Sequence, residues 1–286
     1  MLHGADSMTQ ATPHFLDAYC ARVGYTGERA PTLGTLLALQ QLHPAAIPFE
    51  AMDALLHQPV DLAPQAVDAK LIAARRGGYC FEQNSLFKRV LEALGFTVEG
   101  LIAQVRWQLG PEAALRPRTH MVLRVTIDGT PWLADVGFGS CVLTAPLRFG
   151  LAGPQATPHE RFRLVPVGNE QLLEVEIGGA WQPVYQISPA LQTVGDYEMA
   201  NYFTSTHPDS HFRHKLIVAR TTPEARHALL QNRLTIRGAD GSLARSYLDA
   251  DELEKALREV FLLPVAPAWR PVLEAAAATL WEEAAR

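Results

Sequence analysis

Three side chains of this 286-residue chain could together form a nucleophile, a base and a group that orients the base: Cys80, His120 and Asp135, in that chain order. A thiolate attacks a carbonyl, an imidazole moves the proton, and a carboxylate orients the imidazole and stabilises its charged form. Alone, each has an ordinary role: a small core residue, a satisfied strand-end histidine, a turn residue. Their placement argues otherwise. Cys80 follows Arg75-Arg76-Gly77-Gly78-Tyr79, a turn in which two glycines permit close backbone approach. It opens a run with Phe81, Leu86, Phe87, Val90, Leu91 and Leu94 at helical spacing, stopped by Gly95. A cysteine at a helix start sits where the peptide dipoles favour negative charge, and the thiolate is the nucleophilic form.

His120 stands at the mouth of an alternating strand predicted over 120–127. Asp128-Gly129 is a hairpin signal, and a returning strand over 131–136 carries Asp135 at its end, before Gly137-Phe138-Gly139. His120 and Asp135 lie at similar distances from the turn, which makes them near neighbours across the ladder.

The elements around these residues fall into three stretches. Over 1–96 the pattern is helical: 15–23, then a helix from N-cap Thr32 to Leu42 ended by His43-Pro44, an extended Ile47-Pro48-Phe49-Glu50, and a helix over 67–74. Over 97–205 the period changes to two, with strands at 98–107, 120–127, 131–136, 162–167, 172–177 and 181–186, then a helix from 196. Short strands at regular spacing imply a barrel or a sandwich. Over 206–286 a polar loop leads to strands at 216–220, 233–236 and 246–248, a helix over 250–261 capped by Asp249, and a final helix over 271–286.

Composition narrows the function. Lys and Arg total 25 against 30 Asp and Glu, a net charge of −5 and no basic footprint for nucleic acid. Three irregularly spaced cysteines are not a disulfide framework; with no secretory pattern in the first 12 residues, they imply a reducing cytoplasm. Met8 is an alternative start to Met1. No apolar run reaches membrane-spanning length, and the ten histidines form no tight ligand pattern, so neither membrane nor metal is expected.

The segments Ile47-Pro48-Phe49-Glu50, Arg76-Gly77-Gly78-Tyr79-Cys80-Phe81-Glu82-Gln83-Asn84, Thr119-His120, Asp135-Val136-Gly137-Phe138-Gly139 and Ser205-Thr206-His207-Pro208 resemble the arylamine N-acetyltransferases, in family order across most of the chain. The resemblance implies an α+β fold: an N-terminal helical bundle, a central antiparallel β-barrel and a C-terminal α/β lid around a cysteine-protease-like Cys-His-Asp core. It implies acetyl-CoA as acyl donor, no metal, an arylamine or hydrazine acceptor, ping-pong transfer through acetyl-cysteine, and a monomer or homodimer. It places Phe49 and Phe138 in the acceptor pocket with Phe203 and Phe212 as further candidates. Trp107, Gly137, Gly139 and Thr206 fall to the coenzyme A side. In the family the arginine at Arg76 pairs with an acidic residue, for which Glu50 and Glu82 are candidates. The sequence departs from the family at Ala51, usually asparagine, and at Ser140-Cys141, where glycine often continues. The alternatives are an amide synthase closing a polyketide chain on the same fold, or a cysteine peptidase or transglutaminase.

Overall fold

The computed structural model describes residues 13–109, 114 and 116–281. The first twelve residues with Met8, most of the loop before Arg116, and residues 282–286 lie outside them; the last expected helix, over 271–286, stops at Ala277, since residues 278–281 are not helical.

The N-terminal part contains α1 (Pro13–Val23), α2 (Leu33–Ala46), a short β1 (Phe49–Glu50), single turns α3 (Met52–Leu55) and α4 (Pro64–Val67), and α5 (Cys80–Ala93). Tyr19, Leu36, Leu39, Phe81, Phe87 and Val90 form its fully buried centre. Two expectations fail here. The segment after α4 is a π-helix, Asp68–Ala73, rather than an ordinary α-helix. And α2 runs through Pro44 to Ala46. Proline removes one amide donor, but Ile47 N–H still reaches the His43 carbonyl at 2.8 Å. The exposed last carbonyls are taken by distant arginines: Arg220 Nε donates to Ala45 O at 2.6 Å and Arg22 Nη1 to Ala46 O at 2.5 Å.

The middle of the chain is an eight-stranded antiparallel sheet: β2 (Thr97–Val105), β3 (His120–Ile127), β4 (Thr130–Ala134), β5 (Leu147–Arg148), β6 (Gln155–Ala156), β7 (Arg161–Val167), β8 (Glu170–Ile177) and β9 (Ala180–Ile187). Its order is β5-β4-β3-β2-β9-β8-β7-β6. Leu101, Val122, Leu133, Leu147, Phe162, Leu173 and Val184 from these strands share one interior, so the sheet curls into a nearly closed barrel. The seam is bridged by Gln155, which accepts from Arg148 N–H at 2.7 Å and donates to Arg148 O at 3.0 Å.

After α6 (Val194–Thr206) comes a second sheet of β10 (Ile217–Thr221), β11 (Ala225–Leu230), β12 (Arg233–Gly238) and β13 (Leu243–Tyr247), with α7 (Ala250–Glu259) and α8 (Arg270–Ala277) packed on it. Strand β11 was not expected, because Ala225-Arg226-His227-Ala228-Leu229-Leu230 has no β-branched residue and no alternation. It is a strand because β10 and β12 pair with it on both sides. β1 joins the same sheet through Phe49↔Ala219 and Glu50↔Val218.

Candidate active site

The turn before α5 is built by close approach. A Cβ on Gly77 would sit 2.1 Å from the Pro48 carbonyl oxygen, and one on Gly78 would sit 2.8 Å from the Glu82 carboxylate. Gln83 fastens the turn from inside the bundle, donating to Pro48 O at 2.8 Å and Gly78 O at 3.1 Å. Its carbonyl is held by His43 Nε2 at 2.6 Å, and His43 Nδ1 accepts from Tyr19 at 2.9 Å. Burial lowers the His43 pKa to about 4, so it is a neutral link. Arg22 holds the outer side, donating to Leu71 O at 2.9 Å and Arg75 O at 3.3 Å. Arg75 itself is left-handed, with φ 54°.

Cys80 is the first residue of α5 and is buried, with its thiol 3.5 Å from the Thr119 carbonyl oxygen. The β3–β4 ladder pairs Leu123 with Ala134, which sets His120 diagonal to Asp135. The two bond at 2.8 Å between Nε2 and Oδ2, both fully buried. The other ring nitrogen, Nδ1, takes no part in this bond, and Thr119, the residue before the histidine, is the one whose carbonyl the Cys80 thiol meets. Burial alone would lower the His120 pKa; the charge and hydrogen bond of Asp135, followed by those of Cys80, override it and raise it to about 10. For Asp135, burial pushes up, but His120, Asn84 and the Gly137 amide hold it below the usual carboxylate range. The buried Asp135 carboxylate thus holds His120 as imidazolium.

Asn84 and Tyr185 belong to this site and were not singled out from the sequence as functional. Asn84 donates to Met121 O at 2.7 Å and Asp135 Oδ1 at 2.9 Å, and accepts from Val136 N–H at 3.1 Å. It lies four residues after Cys80 on the same helix face, a spacing that could have revealed it. Tyr185 packs its ring 4.8 Å from that of His120, and its buried hydroxyl lies beside Asp135 with no hydrogen-bond partner among the described residues. It comes from β9, and no local signal marks it.

Glu82 is not the partner of Arg76. Arg76 bonds Glu50 at 2.8 Å and Asp53 at 2.7 Å, while Glu82 is bonded by Lys70 at 2.6 Å. The choice depends on how β1, α3 and the π-helix converge, which sequence proximity does not report. Ala51 offers no side-chain cap to α3; the Met52 amide goes to Glu50 Oε2 at 2.7 Å instead.

The remaining predicted residues divide in two. Phe138 stands edge-on to His120 at 5.1 Å and to Trp107 at 6.4 Å. Phe49 packs on Gly139, whose φ is +81°, and lies 6.0 Å from Phe212, itself 5.8 Å from Tyr79. Phe203 stacks on His207 at 4.4 Å and, with Thr119, lines a cavity of about 310 Å³ between β2 and α6. Thr206 donates its hydroxyl to Tyr202 O. A Cβ on Gly137 would meet the Cys80 Cα at 2.8 Å, and the Gly137 amide donates to Asp135 Oδ1 at 2.8 Å. That amide is therefore engaged rather than open to a phosphate. Cys141 is buried in the barrel, and burial pushes its thiol up to about 12. All three cysteines are free. Among the described residues no cluster of His, Cys, Asp or Glu could hold a metal, and no helix is long and apolar enough to cross a membrane.

Residues 32–270 match the N-acetyltransferase family model. The chain is 42% identical to the arylamine N-acetyltransferase of Escherichia coli K12 over 217 residues, 76% of each chain. It is 42% identical to that of Mycolicibacterium smegmatis over 224 residues, 77% of this chain and 82% of the relative. The arylamine N-acetyltransferase structure from M. tuberculosis superposes with TM-score 0.87 at 39% identity, covering 92% of this chain and 100% of the other. The Mycobacterium marinum enzyme in complex with CoA gives 0.87 at 38%, covering 92% and 98%. The amide-synthase alternative finds no support among these relatives.

Proposed function

This chain belongs to the arylamine N-acetyltransferase family, and we propose that it moves an acetyl group from acetyl-CoA to an arylamine or arylhydrazine by way of acetyl-Cys80. The observation that carries the reading is the buried His120–Asp135 pair set against a cysteine at the start of a helix. The Cys80 thiolate attacks the thioester carbonyl carbon, and the first-turn amides of α5, which have no carbonyl four residues back, face the oxyanion. As the tetrahedral adduct collapses, coenzyme A leaves as thiolate and takes the proton from the His120 imidazolium. Acetylation removes the negative charge of Cys80, one of the influences holding the His120 proton. The imidazole is then neutral and, still oriented by Asp135, is placed to accept the amine proton as the acceptor attacks. Cys80 departs as thiolate, the acetylated amine leaves, and the ion pair is restored.

The acceptor ring is assigned to the aromatic walls Phe49, Phe138 and Phe212, with Phe203 beyond Thr119. The donor is assigned to the side of Trp107, Gly139 and Thr206, with Gly137 contributing closeness to Cys80. Residues 1–96 deliver the nucleophile, 97–205 the base and its carboxylate, and 206–286 cover the cleft. Three free thiols suit a reducing cytoplasm. The test is intact mass after mixing with acetyl-CoA and no acceptor. One acetyl group on Cys80, discharged by an added arylamine and missing in Cys80→Ala, is expected. An acetyl mark on Cys20 or Cys141, or none at all, refutes the assignment.

A further inference from the structure

The charged cluster under the Cys80 turn contains more than the arginine pair. Three carboxylates, Glu50, Asp53 and Glu82, share two cations, Lys70 and Arg76. Arg76 serves Glu50 and Asp53, so the one cation on Glu82 among the described residues is Lys70. Its ammonium sits 2.6 Å from Glu82 Oε1 and 2.7 Å from Asp53 Oδ2. The other Glu82 oxygen, Oε2, accepts the Tyr79 amide at 3.1 Å. Tyr79 is the N-cap of α5 and Cys80 the first helical residue, so this carboxylate reaches back to fix the backbone one residue before the nucleophile. It is also wedged in place, since the Gly78 backbone leaves no room for a Cβ beside it. Lys70 comes from the π-helical turn, a wound-in irregularity of the kind that recurs at functional sites.

We propose that Lys70 is a positioning residue for the nucleophile: by neutralising Glu82 it keeps that carboxylate ionised on the Tyr79 amide and so holds Cys80 aimed at His120. The inference rests on the acyl-transfer reading for its purpose. The groups facing Glu82 are Lys70 from the π-helix, Glu50 from β1, and the Tyr79 amide; Asp53 and Arg76 complete the cluster around Lys70. Burial works to raise the Glu82 pKa and Lys70 opposes it. Without the ammonium, burial and the neighbouring Glu50 both favour the protonated acid. A neutral carboxyl is the weaker acceptor, and the helix start loosens.

The experiment compares wild type, Lys70→Met, Lys70→Arg and Lys70→Met/Glu82→Gln. The readouts are site-specific iodoacetamide alkylation of Cys80 and single-turnover acetylation, both followed against pH, with thermal melts confirming the fold. Lys70→Met is expected to slow both reactions about tenfold at pH 7, the scale of a lost capping interaction. It should also add an acidic limb: reactivity recovers as pH rises through the elevated Glu82 value, because the carboxylate is the holding form. Lys70→Arg should remove most of that limb. The double variant should lose the limb altogether, since glutamine does not titrate. An unchanged Lys70→Met profile overturns the proposal. So does a uniform loss with no new pH dependence, or a limb that survives Glu82→Gln. Alkylation needs no acyl donor; if the variants alkylate as expected here but wild type takes up no acetyl group, the proposed function is refuted and this inference stands.

Discussion

Asp135→Asn should fold and lose nearly all acyl transfer, and the structure says why. Asp135 Oδ1 accepts from two donors, Asn84 Nδ2 at 2.9 Å and Gly137 N–H at 2.8 Å. In the asparagine variant the amide oxygen must take that position, because an NH₂ there would face two donors. The NH₂ then points at His120 Nε2, which must present its lone pair. The remaining imidazole proton moves to Nδ1, the nitrogen outside that bond, and the base is blocked. The charge is lost as well. Asp135 is the foremost influence raising the His120 pKa from 6.5 to about 10, a gap of about 5 kcal/mol at 1.36 kcal/mol per pH unit, and without it burial drives the imidazole toward its neutral form. An aspartate-to-asparagine change in a serine-protease triad costs about 10⁴ in turnover, for the same tautomer reason. The assay is single-turnover acetylation of Cys80, beside circular dichroism and thermal melts. The variant should also have a changed stability profile. A raised histidine pKa contributes stability that is complete below pH 6.5 and is lost as pH rises through about 10. The depressed Asp135 contributes stability present above its ordinary 3.8 and lost as pH falls through its folded value. Asp135→Asn should therefore melt with a flatter pH dependence between 7 and 10. A folded variant within tenfold of wild-type turnover would refute the reasoning.

Gly137→Ala places a methyl group 2.8 Å from the Cys80 Cα and 2.9 Å from Asn84 Nδ2. It should destabilise by about 1–3 kcal/mol through overpacking and slow acetylation about 10²-fold by displacing the nucleophile; wild-type kinetics would show that the turn yields freely. Arg226 is buried against Glu160 with contacts of 2.7–3.0 Å, joining the barrel to the second sheet. Arg226→Met should cost up to about 3–5 kcal/mol in urea unfolding by stranding a buried carboxylate, and Arg226→Met/Glu160→Leu should recover much of it. Equal stability of the two variants would mean that Arg237, 3.6 Å from Glu160, already suffices.

Much of the site was legible because its determinants are local. Two glycines, a cysteine and an apolar run at helical spacing specify a turn into α5. An Asp-Gly hairpin with alternating flanks specifies the register that sets His120 diagonal to Asp135. Relative position on one strand pair, or within one turn of helix, follows from backbone geometry alone. Asn84 was within reach of the same logic, one helical turn from Cys80.

Other features were decided where distant segments meet. Nothing in residues 225–230 resembles a strand; β10 and β12 make them one by offering hydrogen bonds on both edges. Pro44 should have ended α2, yet Arg22 and Arg220, remote in sequence, take the carbonyls beyond it. Glu82 faced two cations in principle, and the π-turn delivered Lys70 while Arg76 went to Asp53. Tyr185 reached His120 because β9 pairs with β2, the neighbour of β3, a pairing between segments distant in sequence. The sequence alone determined which residues could react and in what local frame, since helical and strand periods are short-range. Only the tertiary structure decided which buried charge neutralises which, because burial makes any adequate partner valuable and the packing of separate elements selects among them.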